Sequence, residues 1–141
     1  MKKFLALFFC LAVFTACSND DEAPVEGDDP ILGKWYLADI TNSGSLNLEV
    51  NECTSNSFIE FFKEGNTSTS EFYSETDGVC AVESTDEATW SNLGDGKYRF
   101  VIPYEGIGAQ SGRVEFNNSS EFTFYPDLLA VQNTGIVFER R

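Results

Sequence analysis

Four cysteines and a surplus of carboxylates are the chemically competent groups of this 141-residue chain, which contains no histidine. Lack of imidazole removes the commonest general base, the usual partner of a serine or cysteine nucleophile, and the commonest zinc ligand. No serine stands in a Gly-x-Ser-x-Gly setting. The stretch Gly106-Ile107-Gly108-Ala109-Gln110-Ser111-Gly112 has the wrong spacing for a dinucleotide loop and leads into a strand, so it reads as a flexible hairpin connection. Asn92, Asp95 and the acids near Asp77 lack the spacing of a calcium loop and suit turns instead. Seventeen acids follow Pro30, so some pair at glycosidase separation arises from density alone. The residues therefore point away from an enzyme and imply no cofactor and no metal.

The cysteines divide by position. Met1-Lys2-Lys3 opens a short apolar run that ends in Thr15-Ala16, and Cys17 follows. This resembles a bacterial lipoprotein signal peptide, with Phe14 standing where such peptides more often carry Leu, Val or Ile. The run is shorter than the ~20 residues a membrane-spanning helix needs. On this reading residues 1–16, Cys10 among them, are removed, and Cys17 receives the lipid. Ser18-Asn19-Asp20-Asp21-Glu22 is similar to the acidic export signal of one group of Gram-negative bacteria, and reads equally as a solvated linker. The expected location is the outer membrane, anchored by lipid and facing the cell exterior.

Cys53 and Cys80 remain. An oxidising compartment favours a disulfide between them; two buried free thiols are the alternative. Paired, they leave no thiol for nucleophilic work.

Charge narrows the partners. From Ile31 to Arg141 the chain has 7 Lys and Arg against 17 Asp and Glu, a net −10. A field of that sign repels phosphate backbones and anionic head groups, which argues against nucleic acid and leaves membrane attachment to the lipid. Residues 17–30 form an acidic linker with no large apolar residue beyond Val25, too polar to order itself. The remaining 111 residues, 31–141, suffice for one domain with a real core.

Period two dominates that domain. Gly33–Ile40, Ser57–Lys63, Thr67–Ser74, Glu87–Ser91, Lys97–Ile102, Arg113–Phe116, Glu121–Phe124 and Gly135–Arg140 read as strands, with a strong hairpin turn at Gly94-Asp95-Gly96. Asn42–Asn56 is the least regular segment. No long 3.6-residue apolar period follows Pro30, so helix content is expected to be small. About eight short strands at regular spacing suggest an all-β sandwich or barrel.

The same residues resemble a known group. Ile31-Leu32-Gly33-Lys34-Trp35-Tyr36-Leu37 is similar to the opening of the lipocalin-like domain found in many bacterial lipoproteins. Cys53, the Ile59-x-Phe61 strand running into Glu64-Gly65-Asn66, Cys80, Ala88-Thr89-Trp90 and the closing Phe138-Glu139-Arg140 extend the match over Ile31–Arg141. Ala88 stands where the family more often has Gly. The resemblance implies a small antiparallel up-and-down β-barrel in which Arg140 from the last strand lies over Trp35. It also implies a non-catalytic role, the binding of a small apolar or amphipathic molecule.

Inward positions by alternation are dominated by large aromatics, which fill a core as readily as they line a box. The ligand-facing candidates are Trp35, Tyr98, Phe100, Tyr104, Phe116 and Tyr125. Phe58, Phe62, Phe72 and Tyr73 are expected to face outward. The alternative function is a protein-interaction module, an inhibitor or an accessory subunit of an outer-membrane assembly. It would have a filled core and an exposed aromatic patch.

Overall fold

The computed structural model describes residues 27–43, 48–128 and 133–141. The expected signal peptide, Cys17 and the first part of the linker lie outside the described residues.

Among the described residues nine antiparallel strands run in chain order: β1 (Gly33–Thr41), β2 (Phe58–Phe61), β3 (Thr67–Thr76), β4 (Val79–Thr89), β5 (Ser91–Gly94), β6 (Lys97–Ile102), β7 (Gly108–Asn118), β8 (Glu121–Pro126) and β9 (Gly135–Glu139). Two single 3-10 turns, at Thr54–Asn56 and Glu64–Asn66, are the only helical pieces among the described residues. Consecutive strands pair except β4 and β5, and β1 also pairs with β9, which brings the first strand against the last. The resulting sheet has the order β4-β3-β2-β1-β9-β8-β7-β6-β5 and curls into a half-barrel.

Alternation decides the two faces. Trp35 and Leu37 on β1, Ile59 and Phe61 on β2, Tyr98, Phe100 and Ile102 on β6, Val114 on β7, Phe122 and Phe124 on β8, and Ile136 and Phe138 on β9 all bury in one core. Successive strand side chains point to opposite faces, so this set shares the concave side. Its rings interlock: Phe122 stacks on Phe138 at 5.0 Å, and Phe100 meets Phe124 at 4.5 Å and Phe61 at 5.2 Å. Such pairs add to the stabilisation that burial alone supplies. The interior of the curl is thus occupied by the protein's own side chains.

The ring is interrupted at one place. β4 and β5 are the two ends of the sheet, yet only Trp90 separates them in the chain. They are two halves of one strand, bent at Trp90: the first half pairs with β3 and the second with β6. That accounts for nine strands where about eight are expected. Trp90 is held hard at the corner. Its backbone N–H donates to the Asn66 carbonyl at 2.8 Å and its indole N–H to the Phe62 carbonyl at 3.0 Å. Its ring meets Phe61 edge-on at 5.8 Å and lies nearly parallel to Tyr98 at 6.5 Å. Beyond the corner β4 diverges from β6 and leaves a seam with no ladder across it.

β3 and β4 form a long hairpin closed by Asp77-Gly78, both at positive φ (54° and 77°), the geometry of a two-residue type I′ turn. A disulfide between Cys53 and Cys80, with Cα atoms 5.5 Å apart, ties the hairpin tip to the 3-10 turn at Thr54–Asn56. That turn is capped by Asn51, whose side-chain oxygen accepts from the Cys53 and Thr54 N–H groups at 2.8 and 2.9 Å.

The opposite end of the barrel receives the incoming chain. Gly27–Pro30, the last residues of the expected linker, lie against the domain. The Asp29 carboxylate accepts from Tyr98 Oη at 2.9 Å and from Asn92 Nδ2 at 2.7 Å, and Asp28 pairs with Lys63. Arg140 closes the same end. Its guanidinium lies 4.1 Å from the Trp35 ring centroid, and its Nη2 donates to the Pro30 and Leu32 carbonyls.

Candidate functional site

The seam between β4 and β6 holds a solvent-open cleft of about 410 Å³. Its floor is a patch of the β3–β4 hairpin in which Ser70 pairs with Asp86 and Phe72 with Ser84. Its far wall is the end of β6 and the connection to β7, from Val101 to Gly108. The cleft exists because β4 leaves β6 at Trp90, so two strand edges face each other without bonding.

Register explains which side chains reach it. The turn at Glu64–Asn66 sets Phe61 opposite Ser68. Phe61 points inward, so Ser68, Ser70 and Phe72 do too, and all three are buried. The inward positions of β3 therefore carry two serines before the first large apolar group. Phe72 meets the Tyr104 ring at 5.2 Å, and this pair joins floor to wall. The wall is tacked down by Tyr104 N–H donating to the Ile102 carbonyl at 2.8 Å and by Gln110 Nε2 donating to the Ile107 carbonyl at 2.9 Å.

Polarity in the cleft is one-sided. Ser70 is 3 % exposed, and its hydroxyl makes no hydrogen bond among the described residues. Asp86 and Glu105 line the cleft, and neither has an ion-pair partner among the described residues. Among the described residues, no lysine or arginine contributes to the lining. Apolar surface comes from Phe72, Ile102, Pro103, Tyr104 and Ile107. Such a surface can bind an amphipathic molecule: rings and aliphatic groups to cover its apolar part, and a hydroxyl and carboxylates to meet its polar part.

The six ligand-facing candidates from the sequence fall in different places. Trp35, Tyr98 and Phe100 lie inside the core, at 0 %, 4 % and 1 % exposure. Tyr98 is further committed through Asp29 and Asn92; burial, followed by the Asp29 hydrogen bond and charge, pushes its phenol well above the ordinary tyrosine range. Phe116 packs against Trp35 and Phe122 at the core margin. Tyr125 sits on the convex face beneath the Arg113 guanidinium, 4.5 Å from its ring centroid. Tyr104 alone of the six lines the cleft.

Of the four residues expected to face outward, Phe62 is exposed, Phe58 and Tyr73 are half-buried, and Phe72 is buried on the concave side. Ser70, Ser84, Asp86, Glu105 and Ile107 were not singled out by the sequence. The signal that places the floor is the three-residue turn after β2, which transmits the inward parity of Phe61 to Ser70 and Phe72.

Comparison with known proteins supports the architecture. No curated protein matches the chain. A family model described as a lipocalin-like domain matches residues 31–124, most of the region that folds into the curl. The expected all-β, lipocalin-like architecture is the one observed, and the chain belongs to the lipocalin-like domain family.

Proposed function

We propose that this protein is a lipid-anchored lipoprotein of the outer membrane, facing the cell exterior, that binds a small apolar or amphipathic molecule without catalysis. The binding place is the seam cleft and not the barrel interior, which the aromatic core fills. The observation that carries this reading is the Phe72–Tyr104 pair spanning the cleft, beside the Ser70 hydroxyl that lines it. A lipocalin-like barrel fits a binding role, and the ligand site has moved from the interior to the gap in the wall.

Native mass spectrometry of the protein isolated from its own host tests the reading. A co-purifying small molecule that is lost from Tyr104→Ala supports it; an equal load on Tyr104→Ala removes it. Anchoring has its own test. Metabolic labelling with a clickable fatty acid should mark the protein and fail on Cys17→Ala. Protease added to intact cells should remove the domain if it faces outward.

One observation favours a protein-interaction module instead. The core is filled, and β4 presents a long free edge with Val79 and Val82 exposed at 65 % and 45 %. Unpaired strand edges invite an extended segment of another chain. A stoichiometric bound protein in place of a small molecule would favour that reading.

A further inference from the structure

We infer that the ligand of the seam cleft is a cationic amphiphile, with its positive group held between Asp86 and Glu105 and its apolar part on Phe72, Tyr104 and Ile107. This rests on the cleft being the binding site, and adds the charge class of what enters it.

Three observations converge. First, the two carboxylates stand on opposite sides of the gap: Asp86 on the β4 floor, Glu105 on the connection between β6 and β7. Neither is neutralised by a basic side chain among the described residues. Most acids of this basic-poor domain are likewise unpaired, so what distinguishes these two is that they flank one opening that also holds ring surface.

Second, Ser70 sits directly opposite Asp86 in the ladder and lines the cleft, where its hydroxyl bonds no described residue and faces the opening. An ammonium group beside Asp86 comes with donors for such an acceptor, or with an ordered water that bridges to it.

Third, the aromatic faces are suited to a positive charge. The tilted Phe72–Tyr104 pair offers ring surface beside the carboxylates, and cations are attracted to such faces. An anionic amphiphile would meet the two carboxylates with no counter-charge among the described lining residues.

Three matched probes test the proposal: decylammonium, decyl sulfate and decyl glucoside, titrated into the protein calorimetrically below their micellar concentrations. The cation should bind about tenfold tighter than the uncharged sugar, because each partly solvated carboxylate contributes a few-fold, and the sulfate should bind weakest. The double variant Asp86→Asn/Glu105→Gln should bring the cation to the affinity of the sugar. A control pair, Glu75→Gln/Glu87→Gln, removes the same charge elsewhere and should keep the preference. Equal binding of all three probes, or a preference that survives the double variant or vanishes in the control pair, overturns the cation assignment while leaving the cleft as a site. If no probe binds, or if Tyr104→Ala leaves every affinity unchanged, the cleft itself is refuted.

Discussion

Arg140 covers Trp35. The guanidinium, 4.1 Å from the indole centroid, also reaches the carbonyls of Pro30 at 3.1 Å and Leu32 at 2.8 Å, and so ties the last residues of the domain to the first. Burial lowers its affinity for a proton, yet the group still forms a charged lid on the base of the core. Its Nε has no partner among the described residues. Truncation by Arg140→Ala should cost about 1–3 kcal/mol, the sum expected for a cation–π contact and hydrogen bonds from a charged group. Arg140→Lys should recover only part of it, because an ammonium lacks the planar fork. Thermal denaturation of the three proteins measures both effects. An unchanged melting temperature in Arg140→Ala would show that the pair contributes nothing.

The Cys53–Cys80 bridge spans 27 positions of chain. Constraining the unfolded chain over such a loop stabilises by roughly 3.5 kcal/mol on the entropic account. The variant Cys53→Ala/Cys80→Ala should lose stability of that order in denaturant melts. Hydrogen exchange should rise most at the tip of the β3–β4 hairpin, since that is the element the bridge tethers. Uniform acceleration across the whole sheet would contradict a local tether.

Tyr98 gives the fold an alkaline limit. Its phenol loses a proton less readily when folded than when unfolded, where tyrosine titrates near ~10. A raised folded value means that the contribution is complete below about pH 10 and is lost as pH climbs above that. Stability measured by urea melts should therefore fall from about pH 10 upward. In Tyr98→Phe that slope should be shallower, with an offset of about 1 kcal/mol at neutral pH from the lost hydrogen bonds to Asp29 and Asn92.

Gly112 has no room for a side chain. A Cβ there would stand 2.3 Å from the Tyr125 carbonyl oxygen and 2.7 Å from the Phe124 ring. Since the carbonyl belongs to the paired strand, the clash cannot be relieved by a rotamer change. Gly112→Ala should destabilise by about 1–3 kcal/mol, read as a lower urea midpoint at unchanged slope.

Much of this molecule is readable in advance, and the failures share a cause. Tyr98-x-Phe100-x-Ile102 and Phe122-x-Phe124 announce buried strand faces because every second residue is large and apolar, and those side chains are in the core. The disulfide was legible because only two cysteines remain after Cys17. β4 was not legible beyond its last residues. Val79–Thr89 is an edge strand exposed on both faces, so nothing forces hydrophobic alternation on it. Phe72 was misplaced for a related reason: the inward positions before it are serines, so composition hid the parity that hairpin register carried. The cleft is not readable from residue order because it depends on where a strand bends. Trp90 reads as an ordinary strand residue until its indole is seen bonded to the Phe62 carbonyl.

That corner also governs how the cleft can adapt. With a single residue joining the two halves of a strand, the aperture is set by the φ and ψ of Trp90, since the planar peptide bonds on either side do not turn. Those two angles are held by the bonds to Asn66 and Phe62 and by the ring contacts with Phe61 and Tyr98. A bulkier guest has to loosen a core residue, so capacity and folding stability meet at this one position.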